Sequence, residues 1–309
     1  MKKNTFPNFK KFEPEDFKKY QSLLYSLRQH ADYTINNLLV WDEGSKGIEF
    51  SWVKGNILFK ITDSIYHGKS KKPHYMLVGK KSADATLSKI FNSGVVDKLV
   101  MVPDYFVKGI KSKKFNVSED KLNNDYILDV HSLLTRRGKR YANFRHRINY
   151  FTKKYGDSIE TKDLDLLKTA DVKLIVNSIH GWTIRSYSSK GNDPDKHDGQ
   201  AIDKLLKIQN ILLVKHKCIG VFINGKLEGI SIYQIPHAKD KIAIGNHIKY
   251  NADFNRIFDF LVYITANKLY EQGVTKLNAM QDMGVEGIKN HKADFSAVEY
   301  YKKYTISPW

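Results

Sequence analysis

The chain has one cysteine, seven prolines and no long hydrophobic run among its 309 residues. A single thiol cannot form a disulfide within the chain, and a zinc site built on cysteines needs several thiolates, so both are excluded. No apolar run approaches the roughly 20 residues that span a bilayer. Met1, Lys2 and Lys3 lead into a polar, aromatic segment that does not resemble a signal peptide. We therefore expect no transmembrane segment and a cytoplasmic location.

Acidic residues are scarce relative to basic ones. The chain has 33 Asp and Glu against 51 Lys and Arg, a formal net charge of +18. A positive field of this size attracts polyanions. The expected partner is tRNA or another polyanion, and an anionic membrane surface is the alternative. A lysine-rich surface that only keeps the protein soluble would give the same composition.

Common nucleotide and hydrolase motifs are also missing. The chain contains neither the G-x-x-x-x-G-K-[ST] phosphate loop nor the G-x-S-x-G serine turn, which argues against kinases and serine hydrolases. Residues 193–199 are rich in Asp, but their spacing does not fit a calcium loop. We assign no metal site.

Hydrophobic periodicity divides the chain into two similar halves, although no sequence repeat supports a duplication. In the first half it predicts a helix that starts at Glu13 and Pro14, strands over 48–53, 57–61 and 75–78, a helix over 83–91 and a strand over 98–102. In the second half it predicts strands over 217–223, 226–233 and 242–248, a helix over 257–269 and a strand over 276–280. Asn224 and Gly225 mark a hairpin, and Gly273 can end the helix.

Residues 133–155, between the two halves, carry an apolar stripe at helical spacing. They predict one amphipathic helix with a bend at Gly138. Its basic side chains stand without any acidic residue between Arg136 and Lys154, and they are Arg136, Arg137, Lys139, Arg140, Arg145, Arg147, Lys153 and Lys154. Such a helix can track phosphates. Residues 185–199 are polar and predict a mobile loop.

Chemistry is most strongly indicated in residues 278–292, where a predicted strand runs through an acidic turn into a basic helix start. Asp282 directly follows the strand, and a carboxylate there can orient an amine nucleophile or accept its proton. The alternative is that Asp282 caps the helix or pairs with its lysines. His291 is a candidate titratable base.

Three segments together resemble a known family: residues 31–41, residues 125–151 around Gly138-Lys139-Arg140-Tyr141, and residues 278–292. They are similar to the domain of unknown function related to the C-terminal catalytic domain of phosphatidylglycerol lysyltransferase. The resemblance implies an α/β (α+β) tandem GNAT-like acyltransferase fold, with two mixed-sheet domains flanked by helices, as in the Fem peptidyltransferases. We expect an N-terminal GNAT-like domain over 1–130 and a C-terminal one over 131–309 that opens with the basic helix.

The same resemblance implies a set of site residues. The catalytic candidates are Asp282, Asn278 and His291, and the substrate-binding candidates are Arg140, Arg145, Arg147, Lys289, Lys292 and Trp182. The implied function is transfer of an aminoacyl or other acyl group, with aminoacyl-tRNA as donor, to an amine or hydroxyl acceptor. No cofactor is required for that reaction.

Two other functions stay open on the sequence. An acyl-CoA-dependent N-acetyltransferase is less favoured, because residues 250–256 lack the glycines that let backbone amides grip a pyrophosphate, and Asp253 would repel it. The second alternative is a non-catalytic basic module that binds RNA or anionic lipid. The sequence does not define the oligomeric state.

Overall fold

The computed structural model describes residues 4–41, 47–62, 72–190 and 196–309. The chain forms two compact units. Unit 1 comprises Met1–Asp125, Gln281–Gly284 and Tyr300–Trp309, and unit 2 comprises Tyr126–Met280 and Val285–Glu299. The domain boundary after residue 130 stays a prediction from the sequence.

Unit 1 contains two antiparallel sheets. The first has strand order β1-β2-β3-β4, from β1 (Lys10–Lys11), β2 (Glu49–Val53), β3 (Asn56–Ile61) and β4 (His74–Val78). The second has the order β5-β14-β6, from β5 (Leu99–Pro103), β6 (Phe115–Glu119) and the C-terminal β14 (Lys303–Pro308). Its helices are α1 (Pro14–Leu24), α2 (Ile35–Val40), α3 (Ala83–Phe91) and α4 (Asp104–Val107).

Unit 2 is built on a seven-stranded sheet with strand order β13-β7-β12-β11-β10-β9-β8. The strands are β7 (Asp125–Asp129), β8 (Ile159–Leu164), β9 (Lys217–Ile223), β10 (Lys226–His237), β11 (Ile242–Tyr250), β12 (Lys276–Asn278) and β13 (Glu299–Tyr301). The helices are α5 (Val130–Thr135), α6 (Ala142–Tyr155), α7 (Thr169–Lys190), α8 (Lys196–Ile208), α9 (Ile257–Glu271) and α10 (Glu286–Asp294).

Local sequence signals explain several of these boundaries. Glu13 and Asp16 form a capping box at the start of α1. The β9–β10 hairpin turns at Asn224 and Gly225, whose φ angles of 51° and 73° are both left-handed. This is the turn geometry whose twist matches that of paired strands. Gly273, at φ 71°, follows the end of α9.

Most of the predicted elements are confirmed to within a few residues, but two predictions are wrong. The basic segment is not one bent helix: α5 ends at Thr135, Arg136 is left-handed at φ 53°, and α6 begins only at Ala142. The predicted loop over 185–199 is helical up to Lys190 and again from Lys196, while residues 191–195 lie outside the described part of the chain. Polar composition does not exclude a helix, because a helix with one buried face needs few apolar residues.

Unit 2 packs α6 and α9 on its sheet around a core that includes Phe144, Phe151, Ile257 and Leu261. The core of unit 1 packs α3 on its strands through Leu58, Leu77, Leu87 and Ile90. None of the described helices is long and apolar enough to cross a membrane.

Cys218 provides a simple check of the buried sheet of unit 2. It lies in β9, is 2% exposed, and burial raises the pKa of its thiol. Because the thiolate is the reactive form, we expect the native protein to resist a thiol-alkylating reagent at neutral pH. The denatured chain should take up one equivalent. Rapid stoichiometric labelling of the native protein, followed by mass spectrometry, would contradict this burial.

Candidate functional site

The strand-to-helix junction of unit 2 is held by a buried asparagine. Asn278 ends β12 and is fully buried. Its Oδ1 accepts a hydrogen bond of 2.8 Å from the Met280 amide. Met280 has a left-handed φ of 60°, which is uncommon for a residue with a long side chain. Asn278 therefore fixes a sharp, unfavourable turn directly after the strand.

Lys292 closes the other side of this turn. Its Nζ donates to the carbonyl oxygens of Ala279 at 2.6 Å and Met280 at 3.0 Å, and lies 5.2 Å from the centre of the Tyr126 ring. These contacts join α10 to the backbone at the end of β12. The side chains of Asn278, from β12, and Lys292, from α10, thus both hydrogen-bond to the backbone of the turn that follows β12.

The neighbouring strand β11 continues beyond the residue at which β12 ends. β11 and β12 run parallel and are paired only from Ile242 with Lys276 to Ile244 with Asn278. β12 then ends, whereas β11 continues to Tyr250. Within the β10–β11 register, Ile232 pairs with His247 and Tyr233 with Gly245, which leaves Asn246 as the extra residue of a bulge. Backbone groups past the end of a paired ladder can bind an extended ligand or a carbonyl oxygen.

Arg147 forms two ion pairs within unit 2. Its Nε donates to Asp259 Oδ1 at 2.9 Å, and its Nη1 lies 2.9 Å from Asp294 Oδ2. Burial raises the pKa of the Asp259 carboxyl, and Arg147 opposes that shift by hydrogen bonding and charge. These contacts join α6 to α9 and α10, so Arg147 stabilises the packing of these three helices.

We expect Arg147→Met to lower the free energy of unfolding by about 3 kcal/mol, because it leaves Asp259 buried without its cation. Chemical denaturation measures this change. The matched control is Arg140→Met on the same segment, where the arginine is exposed and packs over the ring of Tyr141. The control should unfold like the parent protein. Equal stability of the two variants would contradict the internal role of Arg147.

Arg145 also has a local structural role. Its Nη1 donates to the carbonyl oxygens of Arg136 and Gly138, at the break between α5 and α6. Arginine at this position therefore satisfies carbonyl groups that the end of α5 leaves without helical partners. Arg140 is the member of the predicted arginine set that is exposed to solvent.

The remaining unit 2 candidates differ in exposure. Lys289 and His291 are exposed on α10, and the His291 ring lies 5.0 Å from that of Phe258. Trp182 lies in α7 and is 7% exposed, so its side chain belongs to the interior. Of these three, Lys289 and His291 are placed to meet a solute.

Asp282 belongs to unit 1, in the segment Gln281–Gly284. Its side chain is 4% exposed, and its Oδ1 accepts a hydrogen bond of 2.8 Å from the Gly284 amide. The Met283 amide donates to the Leu122 carbonyl at 3.0 Å. Met283 and Gly284 have left-handed φ angles of 54° and 74°. Asp282 thus lies on a tight turn whose backbone it helps to hold.

A buried charge cluster in unit 1 was not predicted from the sequence. Lys303 is 0% exposed, and its Nζ contacts Asp125 Oδ1 at 2.6 Å and also contacts Asp32 Oδ2. Gln281 Nε2 donates to Asp32 Oδ1 at 3.1 Å, and Lys303 Nζ lies 3.4 Å from Gln281 Oε1. Alternation of Tyr301 and Lys303 about Lys302 was the signal available in the sequence, because residues two apart share a face in extended chain. The structure divides this stretch between β13 and β14.

Two buried polar pairs in unit 2 were also not predicted from the sequence. Asn251 Nδ2 donates to Glu228 Oε2 at 2.8 Å, next to the start of α9. His216 Nδ1 lies 3.0 Å from Gln209 Oε1, and burial together with the charge of His247 lowers the pKa of His216 to about 3. The sequence signal for the first pair was Glu228, a glutamate within the predicted strand 226–233. Among the described residues, no group of three or more His, Cys, Asp or Glu could hold a metal ion.

Comparison with solved structures identifies the class of fold. A conserved protein of unknown function from Bacteroides thetaiotaomicron superposes with a TM-score of 0.80 at 19% identity, covering 97% of this chain and 99% of that one. The C-terminal domain of a putative lysylphosphatidylglycerol synthetase from Agrobacterium fabrum gives 0.64 at 12% identity, over 95% and 91%. The L-PGS from Bacillus licheniformis gives 0.63 at 13%, over 96% and 93%. The predicted α/β, GNAT-like acyltransferase fold is confirmed.

The sequence then identifies the family. Residues 102–307 match the family described as phosphatidylglycerol lysyltransferase, C-terminal. The chain belongs to this family, and the resemblance found in the sequence is confirmed. A search of curated proteins gave no match. Family and fold together are those of acyltransferases related to lysylphosphatidylglycerol synthase.

Proposed function

We propose that this protein transfers an aminoacyl group from an aminoacyl-tRNA to an amine or hydroxyl acceptor. The observation that carries the proposal is the family match over residues 102–307, which includes the whole strand, turn and helix from Asn278 to Lys292. Of the solved structures named above, one is described as the C-terminal domain of a putative lysylphosphatidylglycerol synthetase and one as L-PGS. A cytosolic location follows from the proposed donor.

The net charge of +18 supports a polyanionic donor. In unit 2, Arg137, Lys139 and Arg140 are exposed where α5 gives way to α6, and Lys153 is exposed in the last turn of α6. These side chains can neutralise phosphates without giving up an internal ion pair. Arg147 and Arg145 are less suited to that task, because both have partners within the unit.

In the proposed reaction, the acceptor nitrogen or oxygen attacks the ester carbonyl carbon of the aminoacyl-tRNA. A new bond forms between that carbon and the acceptor, and the bond from the carbon to the ribose oxygen breaks. Asp282 takes the proton that the acceptor loses and returns it to the departing ribose oxygen, so that no net proton is gained or lost. A carboxylate held on a tight turn suits this role, because proton transfer requires a fixed geometry.

An acyl-CoA donor is the second candidate, and the start of α9 argues against it. Arg256 precedes the helix with a φ of 73°, and Asp259 occupies its first turn. Asp253 lies in the preceding turn, where its amide donates to Asn251 Oδ1 at 3.1 Å. A pyrophosphate at these amides would lie near the exposed carboxyl group of Asp253 and the polar pair formed by Asn251 and Glu228, while Asp259 is already bound to Arg147.

A labelled pool of mixed aminoacyl-tRNAs, incubated with the pure protein and a ribosome-depleted cell extract, tests the proposal. We expect protein-dependent discharge of an amino acid into a new acid-stable product. Omitting the extract shows whether the acceptor comes from it, and heat-inactivated protein corrects for spontaneous hydrolysis. Absence of discharge alongside saturable acetyl-CoA binding would favour the acetyltransferase instead.

The salt dependence of tRNA binding tests whether these exposed basic side chains contact phosphates. We expect the double variant Arg140→Glu, Lys153→Glu to bind uncharged tRNA more weakly, because each lost phosphate contact reduces the slope of log affinity against log salt by roughly 0.7 to 0.9. The measurement is a titration at several salt concentrations. The control is the double variant Lys226→Glu, Lys241→Glu, which reverses the charge of two exposed lysines. Lys226 is the first residue of β10, and Lys241 directly precedes β11. Equal slopes for both double variants would contradict the assignment.

A further inference from the structure

We propose that the buried side chains of Lys303 and Asp32 act through Gln281 to position the turn that carries Asp282. This inference deepens the proposed function and rests on it for the catalytic part. Asp282 itself would touch the substrate, whereas Lys303, Asp32 and Gln281 are positioning residues.

The connection is short and lies entirely within unit 1. Lys303 comes from β14, Asp32 from the single helical turn Ala31–Tyr33, and Gln281 from the segment that includes Asp282. Both polar atoms of the Gln281 side-chain amide have a partner. Nε2 donates to Asp32 Oδ1 at 3.1 Å, and Oε1 lies 3.4 Å from Lys303 Nζ. Gln281 is 5% exposed, and its next neighbour in the chain is Asp282. The side chain therefore anchors the start of the turn.

The anchor is itself fixed from several directions. Asp125 Oδ2 accepts a hydrogen bond of 2.9 Å from the Ala31 amide, next to Asp32. The Lys303 amide donates to Asn124 Oδ1 at 2.8 Å. Buried polar networks in which the members have partners hold a single geometry, because any displacement leaves a buried group unsatisfied. Lys303 and Asp32 thus offer Gln281 a rigid pair of partners.

The turn needs such an anchor. Met283 and Gly284 are both left-handed; the Met283 amide donates to the Leu122 carbonyl and the Gly284 amide donates to Asp282 Oδ1. A methionine in this conformation is disfavoured, so the surrounding contacts must impose it. Gln281 supplies a contact from the interior, because its side chain is 5% exposed.

Gln281→Met tests the proposal, because methionine keeps the length of the side chain and loses both hydrogen bonds. Amide hydrogen exchange of Met283 and Gly284 is the first measurement, and we expect it to accelerate at least tenfold. The matched control is Gln29→Met, also a buried glutamine of unit 1, whose amide donates to the carbonyls of Leu24 and Leu27. The control should leave exchange at Met283 and Gly284 unchanged.

Transfer kinetics are the second measurement. We expect Gln281→Met to lower kcat about tenfold with little change in KM, and Gln281→Glu, which retains an acceptor for Lys303, to recover part of the loss. Unchanged exchange in Gln281→Met would overturn the positioning role, and so would faster exchange at full kcat. Failure of the proposed function looks different, because the parent protein would then show no transfer while the exchange difference between Gln281→Met and Gln29→Met persisted.

Discussion

Lys303→Met is expected to lower the free energy of unfolding by about 3 to 5 kcal/mol, the cost of removing one partner from a buried ion pair. Lys303 is 0% exposed, and its ammonium contacts both Asp32 and Asp125. Methionine fills a similar volume but leaves two buried carboxyl groups without their cation. Chemical denaturation at neutral pH measures the loss.

The pH dependence of this loss follows from the carboxyl groups. Burial opposes ionisation of Asp125, but Lys303 and His30 lower its pKa overall, whereas burial raises the pKa of Asp32 despite Lys303. Without Lys303 both pKa values should lie above those of the unfolded chain. The folded variant then binds more protons than the unfolded one, so its stability falls as pH rises. The difference from the parent protein should therefore be smaller near pH 5 than near pH 8.

Two further variants make this result specific. Lys302→Met makes the same change one residue earlier, where the lysine pairs with Glu119 at 3.0 Å on the surface, and it should leave stability unchanged within error. Adding Asp32→Asn to Lys303→Met removes one of the stranded carboxyl groups and should restore part of the loss. A Lys303→Met protein as stable as Lys302→Met would contradict the buried ion pair.

Asp282→Asn is expected to lower kcat for aminoacyl transfer by about 100-fold or more, the usual contribution of a general base. The asparagine carbonyl can still accept the hydrogen bond from the Gly284 amide, so the turn should persist. The effect should therefore fall on kcat, with the unfolding midpoint unchanged. Initial rates over a range of donor and acceptor concentrations measure it.

The control for Asp282→Asn is Asp157→Asn, which removes an exposed carboxylate at the end of α6 and should retain full activity. Full activity in Asp282→Asn would leave the transferase without its proposed base. In that case Asp282 would keep only the role of a turn residue, which was the alternative that the sequence left open.

Much of the fold could be predicted from local sequence signals. The helix over Ala83–Phe91 and the strand over Lys217–Ile223 have the predicted ends, because their apolar spacing and flanking turn residues agree. The break at Arg136 was harder to see. An apolar stripe at helical spacing continues across residues 136–141, which separate α5 from α6. Arg136 and Gly138 both have a positive φ there.

The candidate site was predictable only in part. The junction after β12 is visible in the sequence as a strand followed by polar residues, and in the structure the side chains of Asn278 and Lys292 both bond to the backbone of Met280. The sequence could not tell which arginines face solvent. Arg140 and Arg147 are seven residues apart on what appeared to be one helix, yet Arg140 is exposed and Arg147 pairs with Asp259.

The sequence by itself determined the family, the α/β class, the excess of positive charge and the order of most strands and helices, because each of these depends on residue type and local spacing. Only the tertiary structure decided how the charges are used. Asp32, Asp125, Gln281 and Lys303 are far apart in the chain, and Lys303 is buried because β14 returns to unit 1. Whether a charged side chain meets water or a buried partner depends on contacts distant in sequence, and local spacing carries no information about them.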